Sequence, residues 1–294
     1  MRILITGASG FVGSHLGKHL SAEHDVLGVV FRTQRRLPFR YDSADLTAPK
    51  AVAALLQTFK PQVIIHAAAM SRVLECEQNP AEAQNVNVTA TATLLHWAER
   101  LHSKFIFLSS DQVFSGNRGG YRESHDPDPV NIYGRTKLEA ERLVLTSTVP
   151  NLVVRSNSVV GPSLGWGESF TDMILRKLRA GDAVTLFADQ YRSPIHIRMM
   201  VRLLEAACVL EFSGLLHAGG PQRINRLDTG YAVARAYGLS PDPIEAAPFA
   251  SHPHAEIMTA DNSYDISRLK QWMPFLDIRS LDEELAEDAT QPNR

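Results

Sequence analysis

The sequence predicts an α/β fold, a doubly wound parallel sheet that carries a smaller C-terminal lobe. Three observations predict it. Residues 1–20 read as strand, glycine turn and helix in immediate succession. Short apolar, β-branched runs then alternate with helical patterns as far as residue 155, the rhythm of right-handed βαβ units. Beyond Gly161 the rhythm loosens, while the 294 residues suffice for a large domain plus a lobe.

The first strand is Arg2 to Thr6, with the length and branching of a buried parallel strand. Gly7, Gly10 and Gly13 follow, three apart, and Phe11 to Leu20 is helical. Gly7 permits the sharp turn, Gly10 lets a pyrophosphate approach the backbone, and Gly13 lets the helix pack closely. The first helical turn, at Phe11 and Val12, directs unpaired N–H groups and a positive dipole end at the phosphates. Thr6 and Ser9 add hydroxyls. Strand, glycine turn and helix in this order form the context of a Rossmann-type dinucleotide site.

The second strand is Asp25 to Phe31, and its end reads VVFRTQRR. A carboxylate here accepts from a ribose 2′-OH, whereas a guanidinium suits a 2′-phosphate. No acid is present and Arg32, Arg35 and Arg36 are, so the expected cofactor is NADP(H). Asp45 and Leu46 precede a helix from Ala48 to Thr58. Asp45 is placed to cap that helix. Gln62 to His66 is a buried strand. Ala67, Ala68 and Ala69 follow His66 with small side chains that let a cofactor pass close to the backbone. A long helix spans Ala81 to Leu101 and includes Asn87.

Lys104 to Leu108 is the next strand, with Ser109 and Ser110 at its end. A hydroxyl there bonds a carbonyl and stabilises developing oxyanion charge. The helix from Asn131 to Thr146 carries Tyr133 and Lys137, one turn apart on one face. Free tyrosine has a pKa of about 10, and a nearby ammonium is expected to lower it, giving a proton donor for a carbonyl under reduction. Asn151 to Arg155 is the sixth strand.

Past Gly161 the expected elements are a loop with Pro162, Gly165 and Gly167, then a helix over Ser169–Arg179. A strand over Arg192–Ile197 leads into a helix through Leu210, and a further strand spans Gly214–His217. A proline-rich loop spans Pro241–His254, helices span Ile266–Trp272 and Leu281–Glu287, and Asp288–Arg294 is expected to fray. Residues 1–160 are read as the cofactor domain, with about 190–220 returning to it. Residues 161–190 and 221–294 are read mainly as a substrate lobe. Trp166 and Phe170 either line its cleft or pack.

Composition excludes several classes. A net charge of −2 gives no reason to expect a nucleic-acid or anionic-membrane partner. No long apolar run predicts a membrane span, and the immediate strand leaves no room for a signal peptide, so the expectation is cytoplasmic. Cys76 and Cys208 are too few for a disulfide framework. His196, His252 and His254 lack partners in ligand spacing, so no metal is expected.

The pieces TGASGFVGSHL, PQVIIHAAA, ECEQNPAEAQNVN, SSDQVFSG, YRESHDPDPVNIYGRTKLEAE and LVVRSNSVVG resemble the extended short-chain dehydrogenase/reductase superfamily. Within it the chain is most similar to the dTDP-4-dehydrorhamnose reductases, and it also resembles the regulatory β subunit of methionine adenosyltransferase. The resemblance implies a triad of Ser110, Tyr133 and Lys137. It implies hydride transfer from NADPH to C4 of a nucleotide-linked 4-keto sugar, with Tyr133 protonating the alkoxide. It gives Lys137 the nicotinamide ribose and Asn87 the support of the active-site backbone. It equally implies that Asp45 and Leu46 contact the adenine. Asp111, Gln112, Val113, Asn157 and Arg192 are the implied substrate contacts. Helices of the sheet domain in this superfamily often pair into homodimers.

Gln112 cannot abstract a proton, which disfavours sugar dehydration. The chain departs from the family at Arg198, where an acid is usual, and at Thr259–Ala260, where Arg-Pro is common. Asp265 and Arg268 are retained. A partner subunit on the same fold, and a reductase of another carbonyl, are the rival readings.

Overall fold

The computed structural model describes residues 1–33 and 35–290. Its first half runs β1 (Arg2–Thr6), α1 (Phe11–Leu20), β2 (Asp25–Val30), β3 (Tyr41–Ser43), α2 (Pro49–Phe59), β4 (Val63–His66), α3 (Val73–Gln78), α4 (Pro80–Gln84), α5 (Ala90–Leu101), β5 (Lys104–Ser110), α6 (Ile132–Leu145) and β6 (Asn151–Ser156). A π-helical turn, Asn85–Thr89, joins α4 to α5. The second half runs β7 (Val159–Val160), α7 (Phe170–Ala180), β8 (Val184–Phe187), β9 (Tyr191–Arg192), β10 (Ile195–His196), α8 (Ile197–Val209), β11 (Gly214–Ala218), β12 (Ile224–Asn225), α9 (Arg226–Ala236), β13 (Ile244–Ala247), α10 (Ser267–Trp272) and α11 (Leu281–Thr290).

Seven parallel strands form one sheet in the order β11-β6-β5-β4-β1-β2-β3. Apolar residues of these strands face both ways, and both faces are covered. One core joins alternate residues of the central strands to α1 and α8, with Leu269 and Met273 of the α10 segment. The other joins the opposite residues to α2, α5 and α6. The chain steps from β1 to β2 on one side and crosses to β4 on the other. That reversal opens a crevice at the carboxyl ends of β1 and β4. The lobe has its own core, built from α7, β8, α9, β13 and α11.

Several elements differ from the sequence reading. The helix expected over residues 81–101 is interrupted by the π turn that carries Asn87. The strand expected over residues 192–197 is two short pairings, because Pro194 lacks the N–H needed to carry a ladder through. The proline-rich loop contains β13, which pairs with β8 in parallel; Pro241, Pro243 and Pro248 bracket it rather than interrupt it. The expected fray at Asp288 is corrected: α11 continues to Thr290, and the Asp288 carboxylate is buried against His196 and Arg198. Residues 291–294 lie outside the described residues. Among the described residues no helix is long and apolar enough to cross a membrane.

Candidate active site

The crevice holds a groove of about 650 Å³ at the end of β1. Gly7 stands at φ +68°, and a Cβ there would press on the backbone of Ala67 and Ala68. A Cβ at Gly13 would overlap the Gly7 carbonyl, so that glycine lets α1 close on the turn itself. Gly10 begins α1 without a side-chain cap, leaving the first N–H groups free to face an anion. The groove brings together Gly7, Ser9, Gly10, Phe11, Val12 and Gly13 with Ala67, Ala68 and Ala69 on one side, and with Arg32, Asp45 and Leu46 at the far end. Arg32 is exposed and lies over the ring of Phe31 at 4.8 Å. Arg35 donates to the Gly165 carbonyl at 3.1 Å, tying the arginine loop to the 161–169 loop. Asp45 accepts from the backbone and hydroxyl of Thr47, bonds that lower its pKa, while α2 itself has no side-chain cap.

Thr6, His66 and Asn87 lie behind the groove wall rather than on it. His66 is fully buried, with Nδ1 2.6 Å from Thr6 Oγ1 and Nε2 2.9 Å from Thr91 Oγ1. Burial pushes its imidazole down to about 3, and the charge of Lys137 adds to this. Thr6 is also buried and accepts from Ala68 N at 3.2 Å, so its hydroxyl braces the small-residue loop. Asn87 accepts from Met70 N at 2.9 Å and donates to Met70 O at 3.1 Å. It holds the backbone that follows Ala69.

Beyond Ser71 the groove meets a cleft of about 380 Å³. Ser110, Gln112 and Tyr133 form its sheet side, and Gln190, Arg192 and Arg226 stand on its lobe side. Tyr133 reaches Ser110 because the start of α6 is pinned. Asn131 caps the helix by accepting from Gly134 N at 2.7 Å, and Ile132 N donates to Glu77 at 2.6 Å. Gly134 abuts the Gln112 carbonyl, where any Cβ would overlap it.

The electrostatics correct one expectation. Tyr133 is not lowered by Lys137. Burial raises it well above the ordinary tyrosine value, and the hydrogen bond with Ser110 opposes that only in part. Tyr133 is therefore a neutral O–H donor at neutral pH. Lys137 is buried with its ammonium 3.9 Å from the centre of the Phe107 ring. Burial pushes it down to about 7, against the pull of Glu141. Glu141 pairs with Arg155 at 2.7 Å and accepts from the Ser109 hydroxyl. Ser109 thus faces away from the cleft, which leaves Ser110 as the strand-end hydroxyl. Glu141 and Arg155 were not anticipated; the spacing Tyr133, Lys137, Glu141 on one helical face was the available signal.

The implied substrate contacts divide. Gln112 lines the cleft and bonds Asp111, Thr259 and Asn131. Val113 is corrected: its side chain is fully buried in the sheet core. Asn157 is corrected too, because its amide donates to Asn262 O at 2.7 Å and accepts from Ser193 N at 2.9 Å, away from the cleft. Asp111 pairs with Arg192 at 3.0 Å. Thr259, where the family has arginine, is buried and receives the Arg192 guanidinium at 2.8 Å. Arg198 pairs with Glu284 and Asp288 on α11, which explains a base at that position. Neither Trp166 nor Phe170 lines the cleft. His252 does, packed on Phe187 at 5.5 Å. Arg226, also missed, sits on a helix whose pattern the sequence reading did not detect.

Comparison with known proteins gives three kinds of match. The family described as RmlD substrate binding domain matches residues 1–277. The methionine adenosyltransferase 2 subunit beta of Bos taurus is 31% identical over 245 residues, 81% of this chain and 72% of that protein. A dTDP-4-dehydrorhamnose reductase of Aggregatibacter actinomycetemcomitans is 28% identical over 284 residues, covering 92% of each. A dTDP-4-dehydrorhamnose reductase structure from Bacillus anthracis in complex with NADP superposes with a TM-score of 0.84, covering 97% of each chain at 22% identity.

Proposed function

The chain belongs to the RmlD substrate binding domain family, and from that premise we propose that it is an NADPH-dependent reductase acting on the keto group of a nucleotide-linked sugar. The observation that carries the reading is the meeting of groove and cleft. Ser110 and Tyr133 line the cleft directly beyond the glycine-turn groove, with the Lys137 side chain buried one helical turn from Tyr133.

The groove residues fit a phosphorylated dinucleotide. Its pyrophosphate end is a glycine cradle with no Cβ and with free helix N–H groups. Its adenosine end offers Arg32 for a 2′-phosphate. A reduced nicotinamide bound there supplies the hydride. Ser110 Oγ orients the carbonyl oxygen and stabilises charge as it develops. Tyr133, held neutral by burial, gives its proton to that oxygen. Lys137 holds its cation 3.9 Å from the centre of the Phe107 ring, one helical turn from Tyr133, and takes the nicotinamide ribose that the resemblance implies for it. Gln112 in the place of a carboxylate supports reduction over dehydration.

NADPH oxidation with a panel of nucleotide-linked 4-keto sugars tests the reading. Tyr133→Phe is expected to lower kcat by about 10²-fold or more, with NADPH affinity unchanged. Equal turnover by the variant overturns the role of Tyr133, and no turnover on any sugar overturns the substrate class. The 31% identity to methionine adenosyltransferase β subunits favours one second reading, a partner subunit that uses the same groove.

A further inference from the structure

The face of α6 that carries Tyr133 and Lys137 continues, one turn past the lysine, to the buried carboxylate of Glu141. Two strand residues meet that carboxylate. The Ser109 hydroxyl of β5 donates to Oε1. Arg155 of β6 donates from Nε to both oxygens, at 2.9 and 3.2 Å, and from Nη2 to Oε2 at 2.7 Å. Ser109 and Arg155 are register partners in the sheet, and the next pair along is Ser110 with Ser156. One carboxylate therefore clamps α6 to two adjacent strands, one residue short of Ser110. The clamp is dry, with Glu141 1% exposed and Ser109 and Arg155 3% each. Arg155 is also braced by the ring of Phe114 at 5.0 Å and by His217, whose Nε2 lies 3.5 Å from Nη1.

We propose that Glu141 is a positioning residue of the reduction, holding α6 on β5 so that the Tyr133 hydroxyl meets Ser110. The inference rests on the reading of Ser110, Tyr133 and Lys137 as the reacting set and adds what fixes the distance between them. Around the clamp α6 meets the sheet through apolar side chains, Ala140 and Val144 packing with Phe105, Phe107 and Val153. Such contacts hold the helix down but have no preferred direction, so they tolerate a small slide. The two-pronged guanidinium pair and the serine hydrogen bond are directional and stop it. A buried ion pair adds little net stability over apolar residues of the same volume, and selecting one arrangement is the use that remains for it. Glu77 and Asn131 pin the start of the same face, and Glu141 pins it two turns further on. Between them lie the two side chains whose placement decides the rate. A misplacement of about 1 Å there costs on the order of 10²-fold.

Ser109→Ala is the primary variant, because it cuts the β5 arm of the clamp and leaves the Glu141–Arg155 pair in place. It is read in two ways. The first is NADPH oxidation with the panel of nucleotide-linked 4-keto sugars, where kcat is expected to fall about tenfold while KM for NADPH stays unchanged. The second needs no turnover. The carbon NMR resonance of Tyr133 Cζ, assigned by its loss in Tyr133→Phe, is expected to move toward its position in Ser110→Ala, where the hydrogen-bond partner is gone. Glu141→Gln, which weakens both arms, is expected to move both readouts further. Should Glu141→Gln misfold, Ser109→Ala decides alone. A wild-type kcat in Ser109→Ala overturns the proposal. So does an unmoved resonance, since any loss of rate would then not run through the contact of Tyr133 with Ser110. A moved resonance in proteins of which none, wild type included, oxidises NADPH would keep the hold of Glu141 on Tyr133 and overturn the reductase reading.

Discussion

At the scale of the residue, Lys137 joins stability to chemistry. Its ammonium is buried with only an aromatic face and a distant carboxylate for company, and burial pushes it down to about 7 from 10.5. Below pH 7 both the folded and the unfolded chain hold the proton, and the folded chain bears the whole desolvation penalty. Between about 7 and 10.5 the unfolded chain holds more of the proton, so this residue makes stability rise with pH. Above both values the penalty is gone. Lys137→Met is therefore expected to be more stable than wild type by on the order of a few kcal/mol at pH 6, with the gap closing toward pH 10. Urea unfolding of both proteins across that range measures it, and a gap that stays constant with pH contradicts the assignment. The residue was legible from its spacing to Tyr133. Its effect on that tyrosine was not, because the i, i+4 pattern says nothing about how deeply either side chain is desolvated.

At the scale of the element, α11 shows what sequence pattern conveys and what it omits. LDEELAEDAT has apolar residues at helical spacing, so the helix was legible, but nothing in the segment says what its five acids meet. In the structure Leu281 and Leu285 enter the lobe core, while Glu284 and Asp288 are buried against His196 and Arg198 at the start of α8. His196 lies between the two carboxylates, 3.4 Å from Glu284 and 2.8 Å from Asp288. The helix thus fastens the lobe to the segment that returns to the sheet, and Arg198 departs from the family in concert with it. Asp288→Ala removes one acceptor from a buried base and one from a partly exposed arginine. The expected loss is about 3 kcal/mol in urea unfolding, whereas a frayed terminus would give no measurable change. The two-residue strands β7 and β12 escaped the sequence reading for a different reason. They are too short to carry a period, and only their partners define them.

At the scale of the whole molecule, the cleft exists because sheet and lobe are bolted together beside it. The sheet half was legible because each buried strand and each helix declares its period locally. The joint was not, because it is made of polar residues brought together from four distant segments. Asn157 at the end of β6 holds Ser193 and Asn262, and Asn262 donates to the Asp111 carbonyl at 2.8 Å. Arg192 then reaches across from the lobe to the Asp111 carboxylate at 3.0 Å, with both side chains almost fully buried. Removing either charge alone strands the other in a poorly solvated place, and removing both leaves a neutral pair that can still hydrogen-bond. Asp111→Asn and Arg192→Gln are thus expected to be non-additive. Their double-mutant cycle in urea unfolding should give a coupling of about 2 kcal/mol, each single variant being less stable than additivity with the double allows. Additive losses would mean that the pair is incidental and that the carbonyl contacts of Arg192 hold the joint. Because Ser110 donates to Asp111 at 3.1 Å, the same cycle measured in the proposed NADPH oxidation tests whether the joint also orients the hydroxyl that the proposed reaction assigns to the carbonyl. A coupling in stability with none in rate would confine Asp111 to the joint, and coupling in both would tie the closure of the lobe to the chemistry.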